Sequence, residues 1–118
     1  MSDSSMWTVA GLLREIASIG QDNERGGYSR HVLEAPELEL REWFVSKADS
    51  LGLTVRGDAD ANICAWWGEP AAGAIATGSH LDSVPGGGAL DGPLGVVSGL
   101  VAVARLRGRL DVPARSIL

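Results

Sequence analysis

At 118 residues, 45% of them hydrophobic, the chain is long enough for one domain that buries roughly two-thirds of its unfolded surface. Ten basic residues against fifteen acidic ones leave a net charge of -5, which argues against nucleic acid or an anionic membrane as partner, because both select clustered Lys and Arg. A single cysteine, Cys64, excludes an internal disulfide framework and fits a reducing, cytoplasmic setting; no signal peptide is visible, and the longest near-apolar run, residues 94–104, falls short of the roughly 20 residues a spanning helix needs.

Residues 7–19 place Val9, Leu12, Leu13 and Ile16 at helical spacing, with Asp3, Ser4 or Ser5 as candidate caps and Gly20 as the stop. The polar stretch 21–35, with Gly26-Gly27, reads as a loop that passes near a site but carries no assignable chemistry; its His31 reads as a surface or helix-entry residue. A second helix spans 36–51, starting on Pro36 and stopping at Gly52, with Leu40, Trp43, Phe44 and Leu51 on one face. Glu37, Glu39 and Glu42 form its solvated acidic face. Strands at 53–56 and 62–67 flank the turn Gly57-Asp58-Ala59-Asp60. Cys64 then reads as a small buried hydrophobe, and at most one of Trp66 and Trp67 belongs to the core, because neighbouring strand residues face opposite ways. Residues 74–77 read as a short buried strand. Residues 93–107 form a helix apolar nearly all round, to be buried on a sheet, with Gly95 and Gly99 leaving a smooth stripe for close strand contact. Arg105, Arg107, Arg109 and Arg115 gather near its end, where cations complement a helix C-terminus. Helices and strands in alternation place the chain in the α/β class.

The chemistry is concentrated in residues 77–100, TGSHLDSVPGGGALDGPLGVVSGL. A period of two at the end of a strand puts His80 and Asp82 on one side, where an acid can accept the N–H of an imidazole whose other nitrogen binds a metal. Gly86-Gly87-Gly88 gives the backbone freedom to return Asp91 toward His80. Gly92-Pro93 then opens the helix, leaving Asp91 at or near an N-cap, where the positive helix end favours an ionised oxygen ligand. Two plainer roles stand beside this one: Asp91 as a cap alone, and Asp82 as a turn residue bonded to its own backbone.

The run Gly78-Ser79-His80-Leu81-Asp82-Ser83-Val84-Pro85, continued by Gly87-Gly88 and Asp91-Gly92-Pro93-Leu94-Gly95-Val96, resembles the metal-binding signature of the hydantoinase/carbamoylase family of amidohydrolases. That family falls within the superfamily of dinuclear-zinc aminoacylases and peptidases. Glu42-Trp43-Phe44, Leu51-Gly52-Leu53-Thr54-Val55 and Asp60-Ala61-Asn62-Ile63 are similar to the family's upstream helix, strand and hairpin, and Asp-Gly-Pro-Leu-Gly points to the carbamoylase branch.

The resemblance implies a partial metallopeptidase-like catalytic domain: a mixed central sheet flanked by helices, with three helices and three to four strands present. It implies His80 as a ligand of one metal, Asp91 as the carboxylate bridging two divalent ions (zinc, manganese or cobalt), and Asp82 as the acid that orients His80. The implied reaction is hydrolysis of a linear amide or ureido carbon–nitrogen bond by a metal-activated water, with an N-carbamoyl-L-amino acid or related ureido acid as substrate. An aminoacylase or peptidase of the same superfamily is the alternative. A homodimer is implied for the intact protein. Residues 1–118 would then be the N-terminal part of one catalytic domain, with a strand from about Ala114 leading to paired glutamates, and with the other ligands and a lid or dimerisation domain beyond Leu118. From a different class comes a non-catalytic fragment with an exposed apolar sheet edge.

Overall fold

A computed structural model describes residues 7–109 and 115–118. Helix α1, Val9–Glu15, opens at Thr8, whose Oγ1 accepts a hydrogen bond from Gly11 N at 2.9 Å. It is shorter than the periodicity predicts. From Ile16 the bonds tighten to the i−3 carbonyl, as helix ends commonly do, and Gly20 turns the chain away at φ 77°. The predicted caps Asp3, Ser4 and Ser5 lie outside the described residues, as does Ala114.

Helix α2, Ala35–Ser50, enters on a proline and leaves through Gly52 at φ 73°, the left-handed exit that glycine allows. Leu40 and Ala48 are buried. Glu37 overturns one expectation: it is buried rather than solvated, at 3% exposure, because its carboxylate is held by Arg41 Nε at 2.7 Å and accepts Leu33 N at 3.1 Å. Glu39 and Glu42 remain exposed. Arg41 also donates to Ala61 O at 2.7 Å, tying α2 to the hairpin turn.

Strands β1, Thr54–Gly57, and β2, Ile63–Trp66, pair antiparallel with Val55 opposite Ala65. Asp58 organises their turn by accepting Asn62 Nδ2 and the main-chain N–H groups of Asn62 and Asp60. These bonds favour the ionised form and hold its carboxyl below the usual carboxylate range, with the Asn62 side chain the largest cause. Trp67 is buried and Trp66 half-buried, so one of the two tryptophans enters the core. Cys64 is half-buried, not buried, because β2 borders an open cleft.

Helix α3, Pro93–Arg107, buries Val97, Leu100, Val101 and Val103. Val97, Leu100 and Val101 pack on Leu12 of α1, with Trp43 and Phe44 at the margin; Val103 joins Ala48, Leu53 and Trp67 in a second cluster. Arg105 and Arg107 occupy the last turn, and the Arg107 guanidinium lies 6.0 Å from the Trp67 ring centroid. No helix among the described residues is long and apolar enough to cross a membrane.

The sheet is mixed. Residues 116–118 lie between two other segments, antiparallel to Trp67 on one side and parallel to Ile75 on the other. Trp67 and Ile117 exchange bonds of 2.7 and 3.0 Å, while Ile75 N and Thr77 N donate to Ser116 O and Leu118 O. Residues 74–77 thus take up the predicted strand position, but as an exposed edge rather than a buried strand. Ile75 is 54% exposed, since pairing covers only one of its edges and no described helix covers the side chain.

Candidate metal centre

Residues 77–80 run along α3 at a separation that only small side chains permit. A Cβ on Gly95 would stand 2.6 Å from Ser79 Cβ, and one on Gly99 would sit 3.4 Å from Thr77 Cγ2. The predicted glycine stripe is therefore a contact surface, and it fixes the height at which His80 leaves the sheet edge. Gly92 completes it. At φ 101° it precedes the first turn of α3, and a Cβ there would lie 2.7 Å from His80 Nδ1.

His80 Nδ1 stands 2.9 Å from the main-chain oxygen of Asp82 and 3.3 Å from its Oδ1. A carbonyl can only accept, so Nδ1 carries a proton, and in the neutral ring Nε2 is the nitrogen with the lone pair. Sequence reasoning assigns the orienting role to the Asp82 carboxylate; the geometry gives the shorter contact to its carbonyl, which serves the same purpose. Nε2 faces Asp91 Oδ1 at 3.6 Å. Asp91 does not cap α3, whose N-cap is Gly92 with no side-chain bond.

Two electron-pair donors therefore face each other, an arrangement that suits a shared cation. An imidazole nitrogen and a carboxylate oxygen 3.6 Å apart are donor types that a divalent ion such as zinc takes. The donor pair fits a divalent metal. It is two donors only: among the described residues no group of three or more His, Cys, Asp or Glu converges as a metal site. All three side chains are open to solvent, His80 and Asp82 by about half and Asp91 by 69%. His31 is exposed and takes no part.

The loop carrying Asp91 is held by a segment to which sequence reasoning assigns no chemistry. Tyr28 and Gly87 form an antiparallel bridge with bonds of 2.9 and 2.7 Å. Ser83 Oγ accepts Arg30 N at 2.9 Å and donates to Tyr28 O at 3.2 Å, while Ser83 N donates to Arg30 O. Ser29 Oγ donates to Asp22 Oδ2 at 2.5 Å and accepts Gly86 N at 3.0 Å. That bond from Ser29, followed by the Arg25 and Glu24 N–H groups, holds the Asp22 carboxyl well below the usual carboxylate range. Arg30 is 2% exposed and donates to Ile19 O and Ile16 O, satisfying carbonyls beyond α1; burial lowers its pKa from the ordinary guanidinium value.

Between β2, residues 77–82 and α3 lies an open cleft of about 640 Å³, bordered by Asn62, Cys64, Phe44 and Leu118, with His80 and Asp82 at its rim. Glu37 and Arg41 beside it pair with each other, while the carboxylates of Asp58, Asp60 and Asp82 also line it.

No family model matches the chain. It is 33% identical over 111 residues to a ureidoglycolate hydrolase from Oryza sativa subsp. japonica, covering 91% of this chain and 23% of that protein. With an N-carbamoyl-L-amino acid amidohydrolase from Geobacillus stearothermophilus it shares 37% identity over 93 residues, 77% of this chain and 22% of the relative. Among solved structures, an amidase of the hydantoinase/carbamoylase family from Burkholderia vietnamiensis superposes with a TM-score of 0.82 at 32% identity, covering 92% of this chain and 27% of that one. The chain spans about a quarter of the length of the proteins it matches.

Proposed function

Since the chain is related to the hydantoinase/carbamoylase amidases and carries part of their fold, we propose that the protein containing it hydrolyses a linear amide or ureido carbon–nitrogen bond with the help of divalent metal. The observation that carries this reading is the Nε2 of His80 facing Asp91 Oδ1 at 3.6 Å across the glycine loop. The relatives' names, ureidoglycolate hydrolase and N-carbamoyl-L-amino acid amidohydrolase, favour a ureido acid over a peptide as substrate.

In this reading His80 supplies a nitrogen ligand through Nε2. Asp82 accepts at Nδ1 and so orients the imidazole, and Asp91 would supply an oxygen to hold the metal. Ions held there would lower the pKa of a bound water toward neutrality and would stabilise negative charge on the scissile carbonyl. Asp91, an exposed carboxylate directly before α3, would offer its oxygens as donors from the open side of the loop. The cleft beside His80 combines apolar side chains such as Phe44 and Leu118 with polar ones such as Asn62 and Ser79, which suits a small polar substrate. Two ions, a homodimer and a cytoplasmic setting belong to this proposal.

Titration of the 118-residue chain with cobalt or manganese, beside Asp91→Ala and His80→Ala, tests the ligand pair: each variant weakens binding at least tenfold, and equal affinities remove the pair from the metal. Assays of the protein encoded by the whole reading frame, on N-carbamoyl amino acids, ureidoglycolate and dipeptides, test the substrate class. Cleavage of dipeptides alone would transfer the assignment to the peptidase branch.

A further inference from the structure

The segment 22–30 contacts the ligand-bearing loop through hydrogen bonds that have a direction. The Asp22 carboxylate can only accept, so the Ser29 hydroxyl must donate to it, which leaves the oxygen lone pairs of Ser29 for Gly86 N–H. Arg30, buried and anchored on the carbonyls of Ile16 and Ile19, fixes the other end of the segment to the body of the fold. Gly27 packs so closely on the carbonyls of Gly86 and Gly87 that a Cβ could not be accommodated there.

A triple-glycine run has more backbone freedom than any other sequence, and freedom opposes metal binding. Loop positions must be immobilised before two ligands can be presented at one point, so something must supply the ordering that the glycines lack. We propose that Ser29, set by Asp22, is a positioning residue that freezes the loop 83–87 and thereby sets the separation of Asp91 from His80. The proposal rests on the metal reading above, but its structural half stands in the metal-free protein.

The test compares the chain with Ser29→Ala and Ser29→Thr, at a temperature where thermal melts show all three fully folded. In Ser29→Ala the Gly86 amide exchanges about tenfold faster and cobalt binding, followed by its visible absorption, weakens about tenfold or more. Ser29→Thr, which keeps the hydroxyl, restores both. A purely structural role would lower the melting midpoint and leave the affinity of the folded protein unchanged. Unchanged exchange, or unchanged cobalt affinity despite faster exchange, overturns the proposal. If the unaltered chain takes up no cobalt, the metal reading fails by itself. Positioning is then judged by the nuclear Overhauser contact between the His80 ring and Asp91: its loss in Ser29→Ala upholds the inference, and its persistence ends it.

Discussion

Gly92 is the residue at which the backbone and the imidazole compete for one space. A Cβ added there would fall 2.5 Å from His80 O and 2.7 Å from its Nδ1, at a φ of 101° that side-chain-bearing residues rarely adopt. Gly92→Ala is expected to cost about 1–3 kcal/mol in thermal or urea unfolding and to turn the His80 ring away from Asp91, abolishing cobalt binding. Retained affinity would show that the ring is not seated as described. Asp22 makes a second residue-scale prediction, about pH. Its folded-state pKa is lowered, so the stabilisation is fully present above the unfolded value near 4 and is lost as pH falls below it toward the depressed one. Asp22→Asn should therefore narrow its stability gap to the unaltered chain as the pH is taken from 6 to 3; a gap independent of pH would discount the carboxylate. The sequence shows why His80, Asp82 and Asp91 belong together, because spacing and glycines are visible in one short run. It is silent about Ser29 and Ser83. Their hydroxyls accept from main-chain N–H groups more than 50 residues away, with no periodicity to betray them.

At the scale of elements, the two inner glycines of α3 should behave oppositely. Alanine is favoured over glycine in a helix by about 1 kcal/mol. At Gly99 the new methyl would meet only Thr77 Cγ2 at 3.4 Å, so Gly99→Ala should be neutral or stabilising by up to about 1 kcal/mol. At Gly95 it would be forced against Ser79 at 2.6 Å, so Gly95→Ala should destabilise by roughly 1–3 kcal/mol and displace the segment leading to His80. Denaturant midpoints for both variants decide this, and equal effects would contradict the close contact. The helices of α2 and α3 and the β1–β2 hairpin are legible to within a residue or two, since Pro36, Gly52 and Pro93 mark ends that periodicity alone leaves open. α1 is less so: its apolar spacing continues through Ile16, which is buried by the turn after the helix rather than by the helix itself. Glu37 misleads because its burial depends on a partner, Arg41, one turn on and on a main-chain N–H at Leu33.

For the molecule as a whole, the mixed sheet borders the cleft with strand edges. Ile63 and Ala65 face the same way as Trp67, by the two-residue period, yet find no main-chain partner on that side among the described residues. Ile75, 54% exposed, leaves an apolar side chain beside the same sheet. Edges of this kind recruit other strands. The 118-residue chain is expected to self-associate as its concentration rises in sedimentation experiments, and Ile75→Lys to reduce that association; a monomer at all concentrations would mean the edges are covered.

Residues 116–118 sit between Trp67 and Ile75, although those two lie close together in the chain and the inserted segment comes much later. During synthesis, therefore, Trp67 and Ile75 must wait with a gap held open between them until the intervening rung has left the ribosome. Once Trp7, Trp43 and Trp66 are replaced, indole emission from Trp67 becomes a clock for that insertion, reporting the last stitch of the sheet rather than the first collapse of the helices.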